Sequence, residues 1–151
     1  MTRVALDSNL LVYAELEPES GKGRRAAEVI ARFAPNGVIP AQVLGEFLRV
    51  VQRKAPDALP EAIRQADLYR ATFLTPATSG EIVAEAAELA LARHLQLWDA
   101  VICVAASRSG AGVLLSEDLQ DGGMVGGLRV VNPFNPDNAA RLSALGDDAS
   151  Q

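Results

Sequence analysis

Short apolar runs alternate along the chain with longer stretches of helical periodicity. Val4-Ala5-Leu6, Val38-Ile39 and Val113-Leu114-Leu115 are apolar enough to be buried strands, and Leu128 to Val131 reads as the last strand. Between them, apolar positions recur every three or four residues. A helical turn or two runs to about Ala14. Residues 22–34 place Ala26, Val29, Ile30 and Phe33 on one face, and residues 41–54 do the same with Val43, Leu44, Phe47, Leu48, Val50 and Val51. Leu59 to Phe73 and Glu81 to Leu95 are two further helices, with residues 72–76 extended between them and Ser79 placed to cap the second. Asp99 to Arg108 is apolar nearly all round, which predicts a helix buried in the core. Pro35-Asn36-Gly37 and Gly110-Ala111-Gly112 are breaks, and a short helix is expected from about Asn138. Strands alternating with helices predict an α/β fold: three layers, with a short, mainly parallel central sheet flanked by helices.

The length of 151 residues suits a single core, read as a unit over residues 1–135 followed by a tail over 136–151. The one cysteine, Cys103, lies in an apolar run and reads as a small core residue; a reducing cytoplasm is the expected location. No apolar stretch is long enough to span a bilayer, and the N-terminus opens on a strand without the pattern of a signal peptide, so no membrane role is expected. The formal net charge of -5 argues against tight, non-specific nucleic-acid binding driven by bulk charge. It leaves a nuclease open, because acids gathered around a metal lower the net charge while the ion attracts phosphate.

The candidate chemistry rests on four carboxylates. Asp7 and Asp118 each follow a short apolar strand, and an acid there faces the crevice where open α/β sheets bind ligands. Glu46 falls at the edge of an apolar helix stripe, beside Val50. Asp99 opens the buried helix, where the core meets a cleft. Each has an ordinary reading as well: Asp7 and Asp99 as helix caps, Asp118 as a turn residue, Glu46 as an exposed helix acid. Together they predict a site whose mutual repulsion a hard cation relieves. Oxygen donors without histidine or cysteine favour Mg²⁺ or Mn²⁺ over zinc.

These segments resemble the PIN-domain family, and within it the VapC-like toxin ribonucleases. The resemblance is carried by Leu6-Asp7-Ser8-Asn9, Glu46 in the third helix, Trp98-Asp99-Ala100, Ser116-Glu117-Asp118 and the ending Asn132-Pro133-Phe134. It implies a metal site of Asp7, Glu46, Asp99 and Asp118, hydrolysis of RNA phosphodiester bonds, a small DNA-binding antitoxin as partner, and a homodimer. Ser8 and Ser116 stand where that family more often has threonine, and the hydroxyl is kept. Ser8, Asn9 and Ser116 are candidates to hydrogen-bond the carboxylates. Asp121, one residue later than a second aspartate of the family, joins them as a supporting candidate. Asp99 and Glu46 both remain candidates to orient the attacking water. Two other readings stand beside the toxin: a PIN-type nuclease for RNA processing or structured DNA without an antitoxin, and a catalytically silent binding module.

Other features change the picture less. His94 sits near a helix C-terminus, where an imidazole suits the dipole. Trp98 is expected to pack against the first strand, with base stacking as the second reading. Arg24, Arg25, Arg49, Arg53 and Lys54 form two basic helix segments, solvated or guiding an RNA backbone. Leu10, Leu11 and Tyr13 are expected at a dimer or partner surface.

Overall fold

The computed structural model describes residues 2–149. The apolar runs form strands β1 (Arg3–Leu6), β2 (Gly37–Val38), β3 (Ala111–Leu115) and β5 (Leu128–Val131), and a short β4 (Met124–Val125) joins them. The sheet order is β2-β1-β3-β5-β4, parallel except for the β4/β5 hairpin. Val4, Ala5 and Leu6 are all buried, as are Val113, Leu114 and Leu115. Successive strand residues point to opposite faces, so both faces of the sheet are covered, as the three-layer expectation requires. β4 is too short to show a period. Its signal lay in Gly126 and Gly127, whose φ values of 55° and 84° are those of a hairpin turn with two left-handed residues.

The helices are α1 (Ser8–Leu16), α2 (Gly21–Phe33), α3 (Ala41–Lys54), α4 (Leu59–Thr72), α5 (Gly80–Arg93), α6 (Leu97–Arg108) and α7 (Ala139–Ala149). Ser20 and Ser79 cap α2 and α5 through their hydroxyls. α6 begins two residues before Asp99 because the Gln96 side chain accepts from the Asp99 amide at 3.1 Å and so acts as the cap. It then buries seven successive residues, Ala100 to Ala106, between α5 and the sheet. Burying Val101, Ile102 and Val104 contributes roughly 1.5–3 kcal/mol each. Cys103 is one of the seven, fully buried, and burial pushes its thiol up to about 12. His94 ends α5 in the left-handed conformation and is exposed.

Leu10 and Leu11 are core residues and not a partner-facing surface. Both are fully buried, because α1 packs against α2 on one side and α3 on the other. After Asn135 the chain turns into α7, whose Leu142 is buried against α2 in the main core. The residues around Leu74 are extended, as expected, and extend the sheet edge: Leu74 bridges Val38 in parallel and accepts from the Ile39 amide at 2.9 Å. No single helix among the described residues is long and apolar enough to cross a membrane.

Candidate active site

The sheet order places the site. From β1 the chain runs to β2 on one side, whereas from β3 it runs to β5 on the other. A crevice opens outside the strand ends where the connections diverge. β1 and β3 are paired there, Leu6 opposite Leu115, and the Asp7 amide donates to the Leu115 carbonyl at 3.0 Å. Asp7 and the Ser116-Glu117-Asp118 turn therefore leave adjacent strands side by side. α3 brings Glu46 and the first turn of α6 brings Asp99.

Hydrogen bonds tie the four acids to their supports. Asp7 is only 5% exposed. Its carboxylate accepts from the Ser116 hydroxyl at 2.7 Å and from the Ser8 amide, also at 2.7 Å, so it caps α1 as well as facing the crevice. The Ser116 hydroxyl in turn accepts from the Asp118 amide at 3.1 Å. Glu46 accepts from the Ser8 hydroxyl at 3.1 Å and from Gln42, one turn earlier on α3, at 3.3 Å. Asn9 donates to Asp118 at 3.3 Å and accepts from the Glu117 amide at 3.4 Å. Of the candidate supports, Ser8 thus holds two of the acids, Asp7 and Glu46, while Ser116 holds Asp7 and Asn9 holds Asp118. Asp99 differs. It is half-buried, and no group among the described residues donates a hydrogen bond to its carboxylate.

The electrostatics follow from this crowding. Burial pushes the Asp7 carboxyl up to about 6 despite the two donors, and the charges of Glu46 and Asp118 add to the rise. Burial also raises Asp99, again reinforced by Glu46 and Asp118. None of the four is in an ion pair among the described residues. As they stand, no three or more Asp, Glu, His or Cys side chains among the described residues are grouped closely enough to hold a metal ion. The acids form an open, mutually repelling set of oxygen donors. Oxygen-only donors of this kind are the chemistry that hard divalent cations take.

Asp121 is held elsewhere. It accepts from the Asn132 amide at 3.0 Å, from Asn135 at 3.0 Å and from Asn138 at 2.9 Å. These donors, the Asn132 amide first, lower its pKa, and its role is to knit the turn after β5. Of the basic residues, Arg24 pairs with Glu19 and Arg25 with Glu28, whereas Arg49 and Lys54 line the grooves that lead to the acids. Trp98 is 43% exposed and lines the same groove as Glu46 and Arg49.

A further cluster had no local sequence signal. Lys22 pairs with Glu117 at 2.9 Å, and Tyr13 donates to the same carboxylate at 2.9 Å. The ammonium also sits 5.1 Å from the Tyr13 ring and 5.7 Å from the Phe134 ring, within reach for cation–π attraction. The cluster neutralises the acid next to Asp118 and anchors the turn that carries it. Gln42 is different: its spacing of four residues from Glu46 on one helix face was a usable signal.

The PIN domain family model matches residues 4–120, well over half of the chain. The chain therefore belongs to the PIN-domain family of nucleases. Its structural neighbours are VapC toxins of toxin–antitoxin systems. The DNA-bound VapBC complex of Salmonella typhimurium matches with a TM-score of 0.65 at 14% identity, over 88% of this chain and 99% of that one. A toxin–antitoxin complex from Klebsiella pneumoniae gives 0.64 at 20% identity, over 87% and 98%. VapC20 of Mycobacterium tuberculosis, a toxin that cleaves the sarcin-ricin loop, gives 0.63 at 16% identity, over 76% and 89%. At these identities the likeness establishes the fold. No curated protein matches the chain at a significant level.

Proposed function

We propose that the chain is a Mg²⁺- or Mn²⁺-dependent endoribonuclease that acts as the toxin of a toxin–antitoxin pair. The observation that carries the reading is the state of Asp99. Among the described residues its half-buried carboxylate has no donor and no counter-ion, and it is raised by burial and by two neighbouring acids. An uncompensated acid of this kind is costly unless a cation completes it. Asp7, Glu46, Asp99 and Asp118 would hold that cation. When bound, it polarises a phosphoryl oxygen and acidifies a water.

The chain's own residues do the positioning. Ser116 and the Ser8 amide fix Asp7, while Ser8 and Gln42 fix Glu46. Asn9 holds Asp118 against the end of β3. Asp99, with no competing donor and a raised pKa, is suited to orient the attacking water and receive its proton. The partner supported by the structural relatives is a small DNA-binding antitoxin, since several of them are toxin–antitoxin complexes and the Salmonella complex is bound to DNA. The family resemblance supports a homodimer.

The purified protein is expected to cleave RNA with Mg²⁺ and to stop in EDTA. Asp7→Asn, Asp99→Asn, Asp118→Asn and Glu46→Gln each lower the rate by orders of magnitude with the fold kept, and Asp121→Asn is milder. Mg²⁺ raises the melting temperature of the wild type by mass action and that of Asp99→Asn much less. Expression of the wild type alone arrests bacterial growth, and Asp99→Asn relieves the arrest. Undiminished cleavage in EDTA would overturn the metal-dependent reading. Unimpaired growth at high expression, with cleavage intact, would replace the toxin by an RNA-processing nuclease.

A further inference from the structure

Trp98 is the only tryptophan in the chain. α6 buries Ala100 to Ala106 without interruption, yet in its first turn, two residues earlier, the indole is 43% exposed. A large aromatic side chain left in water loses much of the stabilisation that burial would supply. The indole lines a groove of about 410 Å³, a volume in the range of small-ligand sites.

The rest of that groove comes from α3 and from the α6 cap. Glu46 opens it into the acidic centre. Arg49, one turn further along α3, is exposed and makes no ion pair among the described residues. Gly45 also lines it, and a Cβ built there meets nothing within 4 Å, so the groove is open where a side chain would otherwise project. Gln96 offers an amide at the rim while its oxygen caps α6. An aromatic face, an unpaired guanidinium and an amide beside a phosphodiester-cleaving centre are the chemistry that recognises a splayed-out nucleotide of single-stranded RNA.

We propose that this groove binds one unpaired nucleotide flanking the cleaved phosphate, its base stacked on the Trp98 indole and its phosphate met by Arg49. The assignment rests on the ribonuclease reading and adds a specificity-determining subsite to it. It makes the enzyme sensitive to the loss of one base at one position, on one side of the cleaved bond only.

The test uses RNA substrates carrying a single abasic nucleotide at successive positions around the cleaved bond, with wild type, Trp98→Ala and Trp98→Phe in Mg²⁺. Stacking of a base on an aromatic side chain corresponds to a change of roughly 5- to 100-fold in binding. At one position the abasic substitution is expected to raise the wild-type KM by that factor with kcat little changed. Trp98→Ala shows the same rise on intact RNA and no further rise on the abasic substrate, and Trp98→Phe keeps most of the affinity. Because Trp98 is the sole indole, stopped-flow fluorescence of the unmutated protein reads the same event before turnover: intact RNA quenches it and the critical abasic RNA does not. An unchanged KM in Trp98→Ala, or abasic losses that add to the mutation at every position, would overturn the subsite and leave the ribonuclease standing. Equal quenching by intact and abasic RNA would also overturn it, because the signal would then not depend on the base. A wild type that cleaves no RNA overturns the ribonuclease reading and the subsite together.

Discussion

Asp7 is a carboxylate that the fold has put where ionising is unfavourable. Its carboxyl is raised from 3.8 to about 6, chiefly by burial. A raised acid binds its proton more tightly in the folded state than in the unfolded one, so its contribution to stability is complete below about pH 4 and is lost as pH rises towards 6. The shift corresponds to about 3 kcal/mol at most. Asp99 and Glu15, both raised by burial, act in the same direction. Asp121, lowered by its donors, acts the other way as pH falls towards its folded pKa, below the ordinary carboxylate range. The metal-free protein is therefore expected to melt higher at pH 5 than at pH 7, and Asp7→Asn to remove most of that difference. Calorimetry in EDTA across this range checks it; equal slopes in both proteins would count against a strained Asp7.

At the scale of elements, one glycine decides how α1 and α2 meet. A Cβ on Gly23 would run into the Glu17 carbonyl oxygen, so the start of α2 must move away for any other residue. In an ordinary helix Gly→Ala adds stability. Here Gly23→Ala is expected to cost about 1–3 kcal/mol, the usual range for overpacking, and urea unfolding measures it. Cleavage is expected to fall too, since Lys22, the residue just before it, anchors Glu117 beside Asp118. Much of this level was legible in the sequence. The apolar runs and helical stripes marked most elements to within a few residues, because burial on one face or two leaves a period. The acids were legible because each stood beside such an element. What was not legible depends on distant partners. Nothing near Lys22 announces Tyr13, Glu117 and Phe134, and nothing near Trp98 says that α3 opens a groove before it. Leu10 and Leu11 were misplaced for the same reason: a short helix packed from two sides has no period that distinguishes core from interface.

For the molecule as a whole, the net charge of -5 limits how the proposed ribonuclease would hold an RNA. Of the basic residues on α2 and α3, Arg49 and Lys54 are the two that line the grooves beside the acids. Two phosphate contacts on a single strand give a slope of about -1.4 for log affinity against log salt. A shallow dependence of this order is expected from anisotropy titrations over a range of salt, and a slope steeper than about -3 would show that further cations take part. The strand order carries a different consequence, one of timing. Asp7 is held by Ser116, 109 residues later, and β1 pairs with β3 along one of its edges. During synthesis β1 emerges from the ribosome early, yet that edge stays vacant until residues 111–115 follow. The first acid of the centre is made almost at once and the last, Asp118, only when most of the protein exists. The four-acid site therefore cannot assemble until residues 111–118 have been made, and a chain whose translation stops before them lacks it altogether.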